Sequence, residues 1–251
     1  MTALTVQGLS WQYRGRPILR DISFTVHRGS LTAILGRNGS GKSTLLRCLA
    51  GLVPLPRGAV WVDGQDLSQL SIPRRARLLG YLPQFHAPVF PFPVREVVVT
   101  GRAAGIRLTP TAADYQAAQE ALQWVGIAQL ADRPYTELSG GERQLVLIAR
   151  IVAQAPPIIL LDEPLAHLDL GNQVHLLHLL QNLAGQGTTI VAVLHDPTLA
   201  LSYGSHHLFL KDGRIQWLPE EARRHGAFLS DIYGTPLRLL PDGERTVVLP
   251  A

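Results

Sequence analysis

The sequence is poor in cysteine and contains no long uninterrupted apolar stretch. Its single cysteine, Cys48, excludes an internal disulfide and any metal site built from a cysteine cluster. The longest apolar runs are short, such as Ile190–Leu194, and none approaches the ~18 residues needed to cross a bilayer. The first residues, Met1–Val6, have neither the basic start nor the apolar centre of a secretory signal. The sequence therefore predicts a cytosolic protein.

Lysine is also scarce, because only Lys42 and Lys211 occur and arginine supplies the remaining positive charge. Basic residues exceed acidic ones by 23 to 19, a formal net charge of +4. Such an excess suits nucleic acid, an anionic membrane surface or a phosphate ligand, but equally ordinary solubility. With 251 residues and 46% hydrophobic residues, the chain can bury a large core, which excludes intrinsic disorder.

Strand-like and helix-like patterns alternate along much of the chain. Apolar residues alternate with polar ones through the first 35 residues, which is typical of strands. Further segments follow in the order strand, helix, strand, helix, strand, helix: Leu31–Leu35, Lys42–Ala50, Ile158–Leu161, Leu170–Leu183, Thr189–Leu194 and Pro197–Tyr203. This alternation predicts an α/β fold with a parallel sheet.

A proline-rich stretch interrupts this pattern between Gln84 and Val94. Pro88, Pro91 and Pro93 exclude a regular helix or a central strand there. The residues that follow, to about Ala153, have helical patterns. We therefore expect one domain whose core, residues 1–84 and 155–251, is interrupted by a helical insert at 85–154.

A glycine-rich stretch between the strand Leu31–Leu35 and the next helix has the spacing of a phosphate-binding loop. Glycines let consecutive backbone N–H groups point at phosphate oxygens, and the helix adds its positive N-terminus. Lys42 is expected to reach the β- and γ-phosphates, and the Ser43 hydroxyl to bind Mg²⁺. The predicted nucleotide-binding residues are Gly36, Arg37, Asn38, Gly39, Ser40, Gly41, Lys42, Ser43 and Thr44.

Two carboxylates end the apolar strand Ile158–Leu161. In a parallel sheet the carboxyl ends of the strands open onto the ligand crevice. Asp162 is therefore expected to hold Mg²⁺ through water, and Glu163 to polarise an attacking water molecule. An acidic pair in a loop is a weak signal alone, but a phosphate loop upstream makes the catalytic interpretation the stronger one.

The segment Leu138–Glu142, with the sequence Leu-Ser-Gly-Gly-Glu, lies shortly before this acidic strand end. Together with the phosphate loop it resembles the nucleotide-binding subunit of ATP-binding cassette (ABC) transporters, from about Leu4 to Gly213. The resemblance implies a P-loop NTPase core, an N-terminal antiparallel β subdomain and an inserted α-helical subdomain. It also implies that Ser139, Gly140 and Gly141 bind the γ-phosphate held by a second subunit, so that two subunits enclose two ATP molecules.

The resemblance assigns roles to four further residues. Gln84 matches the glutamine that contacts Mg²⁺ and water, and His195 matches the switch histidine beside the γ-phosphate. Asp169 matches the aspartate of the loop that crosses the dimer interface. Tyr13 matches the aromatic residue that stacks on adenine, although Trp11 on the same strand face is an alternative.

The function implied is an ATPase subunit that uses ATP and Mg²⁺ to drive transport through two separate membrane permease subunits. Phe90–Val98 and His195–Ala200 resemble importers of iron–siderophore, haem or vitamin B12 (cobalamin), with zinc and manganese importers as near relatives. The resemblance then implies a homodimer at the cytoplasmic face of the cell membrane, served indirectly by a substrate-binding protein and binding no nucleic acid. Exposed Val89, Phe90 and Phe92 would dock a permease helix, unless they pack the insert against the core.

Some features depart from the family pattern or favour another class. Leu165 stands where many relatives have a hydroxyl residue and His167 where many have a small one. A soluble ABC ATPase acting on nucleic acid or ribosomes usually has two cassettes or a coiled-coil insert, and a metabolic P-loop kinase would not need Leu138–Glu142. The pairs His175/His178 and His206/His207 are more typical of solvated or packed histidines than of metal ligands.

Overall fold

The structure is a computed structural model that describes residues 1–84, 90–106, 108–217, 226–243 and 245–251. Its strands are β1 (Thr2–Tyr13), β2 (Arg16–His27), β3 (Leu31–Leu35), β4 (Val60–Val62), β5 (Gln65–Asp66), β6 (Leu79–Leu82), β7 (Ile158–Asp162), β8 (Thr189–Val193), β9 (His206–Lys211), β10 (Arg214–Gln216), β11 (Leu237–Asp242) and β12 (Arg245–Pro250).

The central sheet has the strand order β10-β9-β3-β8-β7-β6. Its strands are parallel except for β10, which pairs antiparallel with β9. Both faces are buried, since Ile159 and Leu161 of β7 belong to one apolar core while Ile158 and Leu160 belong to the other. The predicted parallel α/β sheet is confirmed, and the carboxyl ends of β3, β7 and β8 lie along one edge.

A second sheet is antiparallel, with the order β2-β1-β4-β5. Its inner face packs with the first helix, α1 (Lys42–Leu49), and with one face of the central sheet. Leu45, Leu46 and Leu49 of α1 are buried between the two sheets. Cys48 of the same helix is buried as a free thiol. The antiparallel β layer that the family resemblance implied is therefore present.

The remaining helices are α2 (Ile72–Leu78), α3 (Val94–Val99), α4 (Ala112–Val125), α5 (Gly140–Gln154), α6 (Leu170–Gly185), α7 (Pro197–Tyr203) and α8 (Ala227–Tyr233). Between β6 and β7, helices α3, α4 and α5 pack on one another. Their packing is close, because a Cβ on Gly101 would lie 2.0 Å from the carbonyl oxygen of Arg150. Pro88 and Val89 of the predicted proline-rich linker lie outside the described residues, and the proposed limits of the insert stay a prediction.

After β10 the chain forms α8 and a hairpin of β11 and β12 that is separate from both larger sheets. Leu229 and Ile232 of α8 are buried in the same core as α6 and β8. Within the described residues, no helix combines the length and apolar character needed to cross a membrane. Neither α8 nor β11 was predicted from the sequence.

Candidate nucleotide-binding site

Glycines in the left-handed region curl the backbone that joins β3 to α1. The φ angles of Gly36, Gly39 and Gly41 are 147°, 79° and 106°. A Cβ on Gly36 would lie 2.2 Å from the carbonyl oxygen of Leu210, so no other residue fits there. Because α1 begins at Lys42, its first N–H groups have no partner within the helix and face the same space. The loop is thus shaped to hold an anion.

Lys42 is buried at the base of this loop. Its Nζ donates hydrogen bonds to the carbonyl oxygens of Gly36 at 2.7 Å and Arg37 at 3.0 Å. Burial lowers the pKa of Lys42, and the nearby Glu163 and Asp162 carboxylates oppose that shift. The loop therefore holds the Lys42 ammonium in place, where its charge is expected to attract phosphate.

Asp162, the last residue of β7, is buried behind Ser43. Its Oδ1 accepts a hydrogen bond from Ser43 Oγ at 3.0 Å, and its Oδ2 has no hydrogen-bond partner among the described residues. Burial raises the pKa of Asp162, and the Ser43 hydrogen bond partly offsets this. A hydroxyl beside a carboxylate with one unpartnered oxygen is the donor set that Mg²⁺ prefers, so these residues fit that ion.

Glu163 and His195 meet directly at the ends of neighbouring strands. Glu163 follows β7 in the left-handed conformation, with φ 56°, and His195 follows β8. Because β7 and β8 are paired, His195 Nε2 lies 2.6 Å from Glu163 Oε1. The Glu163 side chain is 14% exposed and that of His195 46%, so the carboxylate is sheltered while the imidazole faces solvent. The sequence assigned a role to Glu163 and to His195 individually, but it did not predict that the two side chains are in contact.

These residues surround one open cavity of about 500 Å³, a size typical of small-ligand sites. Ile18 of β2 was not predicted to belong to the site, because an apolar residue in a strand gives no chemical signal. The residues that line the cavity are Ile18, Asn38, Gly39, Gly41, Lys42, Ser43, Thr44, Gln84, Glu163 and His195. The structure thus brings together most of the predicted phosphate-loop residues with Gln84, Glu163 and His195.

Three residues of the phosphate loop do not line the cavity. Gly36 lies against Leu210 of β9, and Arg37 lies against Gly234, beyond α8. The Ser40 hydroxyl is buried and makes no hydrogen bond to any described residue. Their contribution to the site is through the backbone that they shape.

The predicted adenine-stacking residue, Tyr13, lies at the end of β1 and is 57% exposed. Its ring stacks on that of Trp11, with the centroids 6.3 Å apart and the planes 23° from parallel. The Arg14 guanidinium lies 5.4 Å from the Tyr13 ring centroid. Trp11 is partly buried on the N-terminal core, which leaves Tyr13 the freer ring. The choice between the two rings stays a prediction.

The Leu138–Glu142 segment forms the capped start of α5. Ser139 Oγ accepts a hydrogen bond from the Glu142 amide at 3.2 Å, and Glu142 Oε2 accepts one from the Ser139 amide at 2.8 Å. The hydrogen bond from the Ser139 amide lowers the pKa of Glu142. The segment lies beside the loop after β7, since a Cβ on Gly140 would lie 3.4 Å from His167 Cβ. Ser139, Gly140 and Gly141 are not among the residues that line the cavity at Lys42.

Asp169 is likewise separate from that cavity and caps α6. Its Oδ1 accepts a hydrogen bond from the Asn172 amide at 2.8 Å, and its Oδ2 accepts one from Asn172 Nδ2 at 3.0 Å. His167, two residues earlier, is left-handed with φ 65°. Within one copy of the chain, the predicted site therefore falls into two parts: the cavity at Lys42, and the surface formed by the start of α5 and the loop before α6.

The two histidine pairs have structural surroundings. His175 Nε2 lies 3.2 Å from the Val125 carbonyl oxygen, and the His178 ring packs edge-on against Tyr203. His207 Nε2 lies 3.0 Å from the Ala200 carbonyl oxygen, while His206 lies against His27. In the described part of the chain, no group of three or more histidine, cysteine, aspartate or glutamate residues is arranged to hold a metal ion.

Comparison with known families identifies the cavity. The family model described as ABC transporter matches residues 19–166, more than half of the chain. The chain belongs to the ABC transporter family. Its phosphate loop, acidic strand end and α5 segment are therefore parts of an ATP-binding cassette, and the predictions that it binds ATP and is a transport ATPase are confirmed.

Individual members of the ABC transporter family resemble the whole chain. The hemin import ATP-binding protein of Rhodococcus jostii is 38% identical over 256 residues, covering 98% of this chain and 86% of the relative. A solved transporter described as metal-chelate type, in an inward-facing conformation, superposes with a TM-score of 0.86 at 32% identity, covering 100% of this chain and 98% of that one. A dimeric bacterial cassette gives a TM-score of 0.77 at 27% identity, over 85% of this chain and 97% of the other.

Proposed function

We propose that this chain is the ATPase subunit of an importer for metal chelates, of the iron–siderophore, haem or cobalamin class. The observation that carries the proposal is the convergence of Lys42, Ser43, Glu163 and His195 around one cavity. Asp162 lies behind Ser43 and accepts its hydrogen bond. The similarity to a hemin import protein and a metal-chelate transporter supports the substrate class. Zinc or manganese import is the alternative within transport.

In this proposal ATP lies in the cavity with its phosphates in the Gly36–Gly41 loop. Lys42 supplies the positive charge, and backbone N–H groups of the loop and of α1 supply hydrogen bonds. Ser43, Asp162 and Gln84 would hold Mg²⁺, which neutralises charge on the β- and γ-phosphates when bound. The unpartnered Oδ2 of Asp162 is the oxygen that such an ion would satisfy.

Glu163 is the general base that accepts a proton from the attacking water in this mechanism. Its carboxylate is mostly sheltered and its Oε1 is 2.6 Å from His195 Nε2, so its orientation is fixed by the imidazole. His195 is more exposed and lines the same cavity, so in this proposal it lies beside the γ-phosphate. Positioning and charge stabilisation around the γ-phosphate then supply most of the rate acceleration.

The separation of the two parts of the site supports a homodimer. The start of α5 presents Ser139 and the N–H groups of its first turn, which suit an anion. It does not face the cavity of its own chain, so we propose that it covers the γ-phosphate of a second copy. Asp169 would lie in the loop that crosses between the two copies.

Transport needs a path through the membrane, and none of the described helices of this chain can cross one. We propose that two copies attach as peripheral subunits to two integral-membrane permease subunits at the cytoplasmic face of the cell membrane. A substrate-binding protein would deliver the chelate on the other side. Nucleic acid has no role in this proposal.

Transport by the reconstituted complex tests the proposal. The chain and its permease are placed in vesicles, and ATP-dependent uptake is measured for haem, a ferric siderophore, cobalamin, Zn²⁺ and Mn²⁺. Uptake of one of the chelates is the expected result. Uptake of only the free metal ions would favour the alternative importer, and ATPase activity stimulated by RNA or ribosomes but not by the permease would contradict a transport role.

Replacement of Tyr13 by alanine is expected to weaken ATP binding by about 1 kcal/mol or more, because the loss of ring stacking leaves the phosphate contacts intact. Titration of ATP by calorimetry measures the effect, with Trp11→Ala as the matched comparison. A larger loss in Trp11→Ala would assign the stacking role to Trp11 instead.

Phe90 and Phe92 form an exposed aromatic pair where the chain enters the insert. They are 60% and 57% exposed, and their ring centroids lie 5.8 Å apart. The backbone behind them is fixed, since the Tyr135 amide donates a hydrogen bond to the Phe92 carbonyl oxygen at 2.9 Å. Their exposure favours the docking of a permease helix over packing of the insert on the core.

Phe90→Asp is therefore expected to leave the basal ATPase activity of the isolated subunit unchanged and to abolish stimulation by the permease. Coupled ATPase activity and uptake in vesicles measure the effect. Leu52→Asp is the matched control, because Leu52 is 59% exposed and follows α1 instead of belonging to the insert. Normal transport by Phe90→Asp, or its failure to fold, would place the docking surface elsewhere.

A further inference from the structure

Residues 226–243 and 245–251, here called the tail, pack on the core of the cassette. The Phe228 ring packs edge-on against Phe209 of β9, with the centroids 5.0 Å apart. Lys211 Nζ lies 2.6 Å from Asp231 Oδ1, which ties the end of β9 to α8. The tail lies beyond the residues that the ABC transporter family model matches. The tail is shared with the metal-chelate type transporter, whose similarity covers 100% of this chain.

The residue after α8, within the tail, contacts the phosphate loop. Gly234, the residue after α8, is left-handed with φ 65°, and a Cβ there would lie 2.6 Å from Arg37 Nη1. Arg37 is the second residue of the phosphate loop. The Arg37 side chain therefore packs on the backbone of the tail, and a side chain at position 234 would displace it.

The β11–β12 hairpin of the tail contacts His195–Leu199, here called the His195 segment. The Val248 amide of β12 donates a hydrogen bond to Thr198 Oγ1 at 3.0 Å. Thr198 Oγ1 in turn lies 3.5 Å from the Val248 carbonyl oxygen. Thr198 belongs to the first turn of α7, which Asp196, the residue after His195, caps with hydrogen bonds to the Thr198 and Leu199 amides. The hairpin is thereby joined to the start of α7, three residues from His195.

Tyr233 lies between these two contacts. Its hydroxyl is buried and, among the described residues, makes no hydrogen bond of normal geometry, although the backbone amide of Gly36 is near it. The groups that influence it belong to the two functional segments: burial raises the pKa of Tyr233, the Asp196 carboxylate raises it further, and the Gly36 backbone opposes both. A buried hydroxyl without a hydrogen bond of normal geometry is uncommon, and here a small relative movement of the two segments would complete the contact with Gly36.

We propose that the tail is a brace between the phosphate loop and the His195 segment, and that Tyr233 and Thr198 are positioning residues for ATP hydrolysis. The inference rests on the proposed function of Glu163 and His195. The brace fixes the start of α7 relative to Gly36 and Arg37, and so sets how His195 reaches the phosphate. The Tyr233 hydroxyl gains its hydrogen bond when the two segments move together.

Tyr233→Phe removes only the hydroxyl and tests this role. We expect kcat for ATP to fall about fivefold or more while KM changes less than about twofold, because the phosphate contacts stay intact. The melting temperature is expected to stay equal or rise, because the resting arrangement loses an unpartnered polar group. Tyr115→Phe makes the same change in α4, where the hydroxyl contacts Glu96, and is the control. Unchanged kcat in Tyr233→Phe would overturn the proposal, as would a lower melting temperature.

Thr198 provides an independent test through the other contact. Thr198→Val keeps the volume but removes the acceptor of the Val248 hydrogen bond, and we expect a lower kcat with an unchanged KM. Thr198→Ser retains the hydroxyl and is expected to restore kcat to within about twofold of the unmodified protein. A lower kcat in Thr198→Ser with normal kcat in Thr198→Val would show that the methyl group matters instead of the hydrogen bond, and would overturn the positioning role.

Hydrogen exchange separates failure of the brace from failure of the proposed function. The Glu163→Gln full-length chain is compared with and without ATP and Mg²⁺. ATP is expected to slow exchange in residues 36–44 and also in 226–251, and Tyr233→Phe to abolish only the second effect. If 36–44 is protected but 226–251 is not, the brace is wrong. If 36–44 is not protected, the proposed nucleotide site itself is wrong.

Discussion

Lys42→Ala should abolish tight ATP binding. The Gly36 and Arg37 carbonyl oxygens hold the ammonium at the base of the phosphate loop. Lys42 is the one lysine or arginine among the described residues that line the cavity. A hydrogen bond to a charged group contributes about 1.5–3 kcal/mol, and Lys42 has more than one phosphate oxygen to contact. We therefore expect ATP affinity to fall by about 100-fold or more, measured by calorimetry or nucleotide fluorescence.

The second lysine supplies the control for that measurement. Lys211 pairs with Asp231 on the surface of the tail, so Lys211→Ala removes the same charge without touching the loop. ATP affinity in Lys211→Ala is expected to stay within about threefold of the unmodified protein, since exposed ion pairs contribute little. If Lys42→Ala bound ATP as tightly as the unmodified protein, the assignment of the loop as the phosphate site would be refuted.

Glu163→Gln is expected to bind ATP normally and to lose nearly all turnover. The glutamine amide cannot accept the proton of the attacking water, and general bases contribute about 10²–10⁴-fold to a rate. Glutamine has a similar size, so the contact with His195 Nε2 can persist. ATP then stays bound between the loop of one copy and Ser139–Gly141 of the other, and the dimer accumulates.

Gel filtration with ATP and Mg²⁺ detects that dimer, and phosphate release measures the lost turnover. Glu120→Gln is the matched control, because Glu120 only accepts a hydrogen bond from Gln116 on the same surface helix. The control should hydrolyse ATP at the normal rate and show no trapped dimer. A Glu163→Gln variant that stays monomeric at saturating ATP would contradict the two-copy arrangement.

Local chemistry explains why much of the site was predictable from sequence. The phosphate loop is contiguous, so the glycine spacing that curls its backbone is visible in the chain itself. The end of β7 was predictable because an apolar run stops at two carboxylates, and α7 because Asp196 and Pro197 mark a helix start. The parallel sheet followed from the alternation of strands and helices.

Contacts between distant segments were not predictable in the same way. The 2.6 Å approach of His195 to Glu163 depends on the pairing of β7 with β8, which no local pattern specifies. β9 begins with His206 and His207, so its strand character was hidden by the histidines. The surroundings of Tyr233 were not predictable, because Gly36 and Asp196 are far from it in the chain.

The burial of Cys48 has a practical consequence for following this transporter subunit in motion. Its side chain is fully enclosed, and burial raises the pKa of the thiol to about 12, so little reactive thiolate exists near neutral pH. Thiol-directed dyes and spin labels should therefore not react with the unmodified chain. A cysteine introduced on the tail and another on the insert would be the only reactive pair, and fluorescence transfer between them would record the movement of the cassette during each turnover.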